Sequence, residues 1–239
     1  MEPRFEEAKP AAIDNATRFA IFLSALKSTR MAAQIDCSQL GDTSMNIIVP
    51  RWEWRTFRQD FGNAEPRFAA LTPAKVQHSA ETYVLVIGSE ANVKFRDDLL
   101  DIKQLERVND DGLEQWRPLL KEPFPLAPAT TAQLRAALGL SAELMNGDAV
   151  TFEALIVRLE SVAANVRIVR VTKTRTRYHA HGCVAELSDV VADGKKVRTV
   201  AIEDEDPAKV MAAVRAMELD CYANINYPCG LKRLLGIST

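Results

Sequence analysis

The sequence predicts an α+β fold in which an antiparallel sheet curls around a charged interior and turns its apolar face outward against helices. Two observations carry this. The first is alternation. Arg51, Glu53 and Arg55 interleave with Trp52 and Trp54, Lys94 and Arg96 flank Phe95, and Asp101 and Lys103 flank Ile102. Lys173, Arg175 and Arg177 repeat with the same period, and Glu203 and Glu205 do so near the end. Successive strand side chains point to opposite faces, so each segment has one charged face and one mainly apolar face. Charge stacked on one face of five strands fits a closed sheet better than a half-buried one. The second observation is imbalance. Eight of these positions are Lys or Arg, against Glu53, Asp101, Glu203 and Glu205, so the expected occupant is a polyanion.

The elements follow in order. Residues 1–44 read as an extension: a charged, Pro-containing start, then an amphipathic helix from Ala11 to about Gln34, with the domain opening at Met45. Asn46 to Phe57 is expected as a strand bent at Pro50. Thr72 to about Ala80 reads as a short helix with Pro73 in its first turn. Strands are expected over Thr82–Gly88, Asn92–Asp97 and Leu100–Val108, with Asp97-Asp98 turning between the last two. Gly112–Lys121 is open between helix and strand. Pro123, Pro125 and Pro128 mark a break, and Thr131–Leu138 and Phe152–Ala164 carry helical spacing on either side of Gly147-Asp148. Val166–Tyr178 is a long strand. A hairpin follows, Val184–Val191 and Val197–Glu205, with Ala192-Asp193-Gly194 between, since Asp-Gly suits a tight turn. Asp206 is a helix N-cap with Pro207 at the first helical position, for a helix to about Leu219.

Composition narrows the class. At 239 residues the chain can bury a large core, and 47% hydrophobic with 26% charged residues is ordinary for a globular protein. A net charge of −2 argues against a nucleic-acid-coating role, so nucleic acid is not an expected partner. Cys37, Cys183, Cys221 and Cys229 form no CxxC pair, which disfavours a disulfide framework or structural zinc and favours a reducing compartment. The apolar run Phe19–Leu26 is too short to span a membrane and is bounded by Lys27 and Arg30, while Glu2, Glu6 and Glu7 spoil a signal-peptide start. The chain reads as cytoplasmic, with no membrane partner.

The charged segments, in this order and spacing, resemble the CYTH superfamily, or triphosphate tunnel metalloenzymes. Its first strand carries Glu-x-Glu-x-Lys, matched by Arg51-Trp52-Glu53-Trp54-Arg55 with Arg in place of the first Glu. Its Arg-x-Arg strand is matched by Lys94-Phe95-Arg96, the following Lys strand by Asp101-Ile102-Lys103, and its later basic strand by Lys173-Thr174-Arg175. The acidic hairpin resembles Glu186–Asp189 and Ala201-Ile202-Glu203, where the family usually has Glu-x-Glu. The resemblance spans residues 45 to about 234. It implies an eight-stranded antiparallel closed β-tunnel with helices packed outside, and a metal-dependent phosphohydrolase acting on a small triphosphate or inorganic polyphosphate.

On this resemblance Glu53, Glu203 and Lys103 are the expected catalytic residues. Arg51, Arg55, Lys94, Arg96, Lys173, Arg175 and Arg177 would bind phosphates, and Glu53, Glu186, Glu203 and Glu205 would ligate Mg²⁺ or Mn²⁺. Arg forms bidentate bonds to phosphate oxygens and Lys acts as a point charge; Mg²⁺ prefers oxygen ligands and shares its shell with phosphate and water. Arg51 and Ala201 stand at two positions where carboxylates are expected, which weakens a two-metal scheme and keeps open a non-catalytic polyphosphate- or nucleotide-binding protein of the same fold. A cyclase would need a base pocket that no motif reveals.

Other motifs are weaker. His179 and His181 could bind a metal, but Gly182 makes a loop the better reading. Cys221 and Cys229 read as small buried hydrophobes. Trp52 and Trp54, with Tyr83 and Phe95, read as the outward apolar face rather than as base-stacking groups. The stretch Asn224-Ile225-Asn226-Tyr227 resembles the family's closing segment, with a role at the tunnel mouth. No Gly-rich phosphate loop is present.

Overall fold

The computed structural model describes residues 49–141, 148–162 and 165–238. All elements below belong to the unit Ile47–Thr239. The arm over residues 1–44, its Ala11–Gln34 helix, the domain start at Met45, Gly147 and the helix end at Ala164 lie outside the described residues.

The chain runs β1 (Arg51–Arg58), α1 (Ala64–Ala69), β2 (Lys75–Val86), β3 (Asn92–Arg96), β4 (Leu99–Val108) and β5 (Glu114–Pro123). It continues with α2 (Pro128–Leu138), α3 (Phe152–Val162), β6 (Val166–Ala180), β7 (Cys183–Ala192), β8 (Lys195–Asp204), α4 (Pro207–Ala216) and α5 (Tyr227–Leu235). The strands close into an eight-stranded barrel in the order β1-β5-β4-β3-β2-β6-β7-β8. Every neighbouring pair is antiparallel. The closed antiparallel tunnel with external helices is thus the fold that the alternation and the resemblance imply. No helix among the described residues is long and apolar enough to cross a membrane.

The turns follow their residue chemistry. Asp193 (φ 45°) and Gly194 (φ 82°) both take positive φ between β7 and β8, as a primed hairpin turn requires. Asp97 (φ 53°) and Asp98 (φ 56°) do the same between β3 and β4, because Asp tolerates the left-handed region better than most residues. Asp206 caps α4 by accepting from the Ala208 amide, and Pro207 occupies the first turn, as the sequence implied.

Two elements differ from the sequence reading. Thr72–Ala80 is not a helix: β2 begins at Lys75 and pairs with β6 from Lys75↔Arg177 to Val86↔Val166. The ladder with a long partner strand supplies the backbone hydrogen bonds that Pro73 and the alanines had suggested a helix would make; tertiary pairing overrides local propensity. The short helix is instead α1, upstream. Gly112–Lys121 resolves as strand, since Glu114–Pro123 pairs with both β1 and β4.

Packing divides by face. Trp52, Trp54, Val200 and Ile202 point outward and bury against Phe68 of α1 and Val210 and Val214 of α4. Val84, Val93, Phe95, Leu100 and Ile102 do the same beneath Leu134 of α2 and Leu155 and Leu159 of α3. Tyr83 departs from the expected outward set. It shares the inner face with Leu85, Val169, Val171, Val190 and Val197, and this apolar ring packs against Tyr227 and Leu231 of α5. Asn226 caps α5 by accepting from the Cys229 amide. The tunnel therefore has an apolar end occupied by α5 and a charged remainder.

Candidate functional site

The inner positions of every strand meet in a narrow cavity of about 190 Å³. It is lined by Glu53 and Arg55 (β1), Tyr83 (β2), Asn92, Lys94 and Arg96 (β3), and Asp101 and Lys103 (β4). Trp116 (β5), Lys173, Arg175 and Arg177 (β6), Glu186 (β7), Glu203 (β8) and Tyr227 (α5) complete it. Period-2 alternation in a closed sheet is the reason: residues 53 and 55, 94 and 96, 101 and 103, and 173, 175 and 177 must share a side.

Two residues of the expected set lie outside this lumen. Arg51 is exposed and lines an adjoining rim cavity with Glu203, Asp204, Glu205 and Lys209. Glu205 is exposed and follows the end of β8. Arg51 keeps the inner parity of β1 but lies beyond the lumen's depth, and Glu205 lies past the last residue of β8. His181 is exposed in the β6–β7 turn with φ 51°, in keeping with the loop reading, whereas His179 is an exposed residue of β6 itself, paired with Val184. Cys221 is exposed rather than buried.

Ion pairs run through the lumen as one chain. Arg55 Nε lies 2.8 Å from Glu53, and Arg55 Nη1 lies 3.6 Å from Glu186. Glu186 meets Arg175 Nε at 3.0 Å, and Arg175 Nη2 lies 3.9 Å from Glu81. Glu81 then pairs with Lys173 Nζ at 2.8 Å, with Arg96 Nη1 at 3.4 Å and with Lys94 Nζ at 3.9 Å. Lys94 also faces Asp101 at 3.6 Å. Glu81 is the principal residue that the sequence reading missed. Its signal was present, because Ser79, Glu81 and Tyr83 share one period, but the helix expected to reach Ala80 ended the pattern one residue short.

Tyrosines flank this chain. The Tyr83 hydroxyl donates to Glu81 at 3.0 Å and accepts from Lys173 Nζ at 3.1 Å. Tyr83 and Tyr227 stack with ring centroids 5.1 Å apart, and Lys173 Nζ lies 4.3 Å above the Tyr227 ring. Such cation–π contact is strongest where water is excluded.

The electrostatics follow from burial opposed by charge. Burial pushes the Glu81 carboxyl up, but Lys173, Lys94 and hydrogen bonds from Lys173 and Tyr83 outweigh it and hold it at about 2. Burial drives the Lys173 ammonium down, Lys94 and Arg175 add to the effect, and Glu81 opposes it, leaving a value of about 7. Glu53 and Glu203 stand directly opposite on β1 and β8. Burial raises Glu203, and the Glu53 charge raises it further. Glu53 is also desolvated, yet its Arg55 partner pulls it below the usual carboxylate range. Two carboxylates whose environments separate their proton affinities are a recurring acid–base arrangement.

Among the described residues, four buried side-chain polar atoms make no hydrogen bond; Asn92 Oδ1 and Tyr227 Oη belong to lumen-lining residues, and Arg175 Nε there is met only by the Glu186 ion pair. A buried polar group without a partner costs free energy, so this clustering marks a place built to receive one. Of these, the Tyr227 hydroxyl can donate to an anion.

For a divalent metal, the donor chemistry fits one ion. Glu53 and Glu203 are adjacent hard-oxygen donors whose mutual repulsion a cation would relieve. Glu186 is held by Arg55 and Arg175, and among the described residues no group of three or more acidic, His or Cys side chains is placed to hold an ion. A single Mg²⁺ or Mn²⁺ with phosphate and water completing its shell fits; an all-protein cage does not.

No family model matches the chain, and no curated protein matches its sequence. Several solved structures are similar in fold. One is an adenylyl cyclase candidate from Hippeastrum with a dominant triphosphatase activity, at 11% identity over 79% of this chain and 97% of that one, with a TM-score of 0.45. Another is a conserved hypothetical protein from Pyrococcus furiosus, at 14% identity over 71% of this chain and 91% of that one, TM-score 0.41. A third is an adenylate cyclase candidate from Bacillus halodurans, at 10% identity over 78% and 98% respectively, TM-score 0.41. The chain itself has the closed, inwardly cationic barrel that the CYTH resemblance implies.

Proposed function

We propose that this chain is a metal-dependent phosphohydrolase that takes a small triphosphate or the end of an inorganic polyphosphate into the tunnel. The observation that carries the reading is the convergence of Arg55, Lys94, Arg96, Lys103, Lys173, Arg175 and Arg177 on one 190 Å³ cavity. Seven cations on one narrow lumen suit a ligand with closely spaced negative charges. Phosphoryl transfer needs positioning and charge neutralisation more than a protein nucleophile, and fixed cations in a water-poor site give both.

Tyr227, with an unpartnered hydroxyl, and Arg175 beside it orient the phosphate oxygens, while Lys94 and Arg96 neutralise them from β3. Glu53 and Glu203 would hold Mg²⁺ or Mn²⁺, which when bound supplies Lewis-acid polarisation and a water of lowered pKa. Lys103 lies near enough to draw down both carboxylates and to stabilise charge on the transferred group.

A second reading has its own support. Glu53 and Glu186 are already engaged by Arg55 and Arg175, which favours a tunnel that binds polyphosphate or a nucleotide without cleaving it. Phosphate release from tripolyphosphate, with Mg²⁺, with Mn²⁺ or with EDTA, separates the two. The hydrolase reading expects metal-dependent release that Glu203→Gln abolishes while tripolyphosphate binding persists. Tight binding with no release under either metal gives the answer to the binding protein.

A further inference from the structure

Glu81 touches four cations yet does not line the lumen; its side chain has 0% exposure and sits behind them. Its carboxylate faces Lys173 at 2.8 Å, Arg96 at 3.4 Å, and Lys94 and Arg175 at 3.9 Å each, with Ser79 Oγ and the Tyr83 hydroxyl donating to its two oxygens. All four cations line the cavity in front of it. Resting on the reading that this cavity binds phosphoanions, we propose that Glu81 is the positioning residue of the phosphate site, a sealed counterion that gathers four cationic heads so that a terminal phosphoryl group meets a preassembled cluster.

Four like charges directed at one place repel. Without a counterion they splay, or one of them gives up its proton. Arg does not deprotonate in proteins, but a buried Lys readily does. Lys173 is the vulnerable member, with a side chain only 1% exposed. The groups acting on it come from every side. Glu81 and Tyr83 face it from β2, Lys94 from β3, Arg175 from its own strand and the Tyr227 ring from α5. Glu186 on β7 acts on it through space, and Arg55 of β1 lies over the same Tyr227 ring. Of these, Glu81 is the carboxylate in contact. Removing its charge leaves Lys173 near three cations and without an acidic partner.

Charge counting and positioning predict opposite signs. If Glu81 were only a negative charge near an anion site, neutralising it would tighten anion binding. If it positions the cluster and holds the Lys173 ammonium up against desolvation, neutralising it weakens binding near neutrality, and acid restores the loss by protonating Lys173. The test is calorimetric titration of the full chain with sodium tripolyphosphate in EDTA, from about pH 5.5 to 8.5, with Glu81→Gln and Glu81→Asp. At about pH 7.5 the Gln variant should bind about tenfold or more weakly, equivalent to one pKa unit of lost cation, and should approach wild type at the acid end. The Asp variant should keep the wild-type pH profile. Equal or tighter binding by Glu81→Gln across the range overturns the proposal. Should that variant not fold, Lys173→Arg serves: its charge does not titrate, so its profile should be flatter than wild type, and an unchanged profile overturns the proposal equally. If wild type binds no tripolyphosphate at any pH, the phosphate-site reading itself fails; if wild type binds and Glu81→Gln is indifferent, only the role of Glu81 does.

Discussion

Lys94→Ala should weaken tripolyphosphate binding by one to two orders of magnitude. The Lys94 side chain is 12% exposed and is directed into the lumen between Asp101 at 3.6 Å and Glu81 at 3.9 Å. A charge-assisted hydrogen bond to a charged ligand contributes about 1.5–3 kcal/mol, which is roughly 10- to 150-fold in affinity. The upper part of that range is expected, because truncation also leaves Asp101 facing the anion without its lysine. Screening gives a second handle. Exposed charges lose their influence beyond about 8 Å at physiological ionic strength, whereas a contact inside the lumen is screened far less. The deficit of Lys94→Ala should therefore persist at high salt. Calorimetry in EDTA, at two salt concentrations, measures it, with Lys195→Ala at the exposed start of β8 as the control. If Lys94→Ala binds within about twofold of wild type, as the surface control should, a fixed cationic cluster is not what binds the anion.

Two further outcomes follow from the packing and the buried carboxylate. Gly230→Ala should lower the denaturation midpoint by roughly 1–3 kcal/mol of stability, because a Cβ there would drive into the Phe57 ring and force α5 away from β1; an unchanged urea midpoint would mean that α5 does not pack as described. For acid stability, the folded Glu81 value of about 2 lies below its ordinary 4.5, so its contribution is full above that ordinary value and is lost as pH falls toward 2. Urea unfolding of wild type against Glu81→Gln should show a steeper loss for wild type across this window, and parallel profiles would refute the assignment.

How much of this was legible in the sequence depends on whether local alternation or distant pairing decided the outcome. Lys94-Phe95-Arg96 and Lys173-Thr174-Arg175 declare both strand and facing, because charge at period 2 has no helical counterpart. Trp52 and Trp54 declare the outer face by the same rule. In β5 the pattern around Trp116, Pro118 and Lys121 is broken, and its ladder with β4 shifts register between Ile102 and Lys103 and again between Leu105 and Arg107. A bulge erases periodicity locally, so only the partner strand reveals the element. The first half of β2 is similar: its twelve-residue pairing with β6 is a long-range property, and Pro73 with nearby alanines mimics a helix start. Arg51 and Glu205 show the complementary limit. Arg51 has the right parity and Glu205 falls just past the end of β8, because how far along a strand the lumen extends depends on the tilt and stagger of the whole barrel.

The same dependence explains why the barrel can carry four carboxylates in the lumen and Glu81 behind it, and still suit an anion. Taken as a tally, Glu53, Glu81, Asp101, Glu186 and Glu203 would oppose phosphate. In place, three of them are links in the chain Glu53–Arg55–Glu186–Arg175–Glu81–Lys173, and Asp101 is paired with Lys94. Buried ion pairs often cost more in desolvation than they return, and a chain of them is a poor way to stabilise a barrel. What it does provide is fixed side-chain geometry: each guanidinium between two carboxylates loses its freedom during folding rather than during ligand binding. Orientation settled in advance is what a charge-stabilising site requires. Glu203 stands apart, with no ion pair among the described residues, opposite Glu53 and raised in proton affinity. The carboxylates thus divide into four that hold cations in place and one, Glu203, that faces another carboxylate instead, a division that neither charge counting nor motif spacing contains.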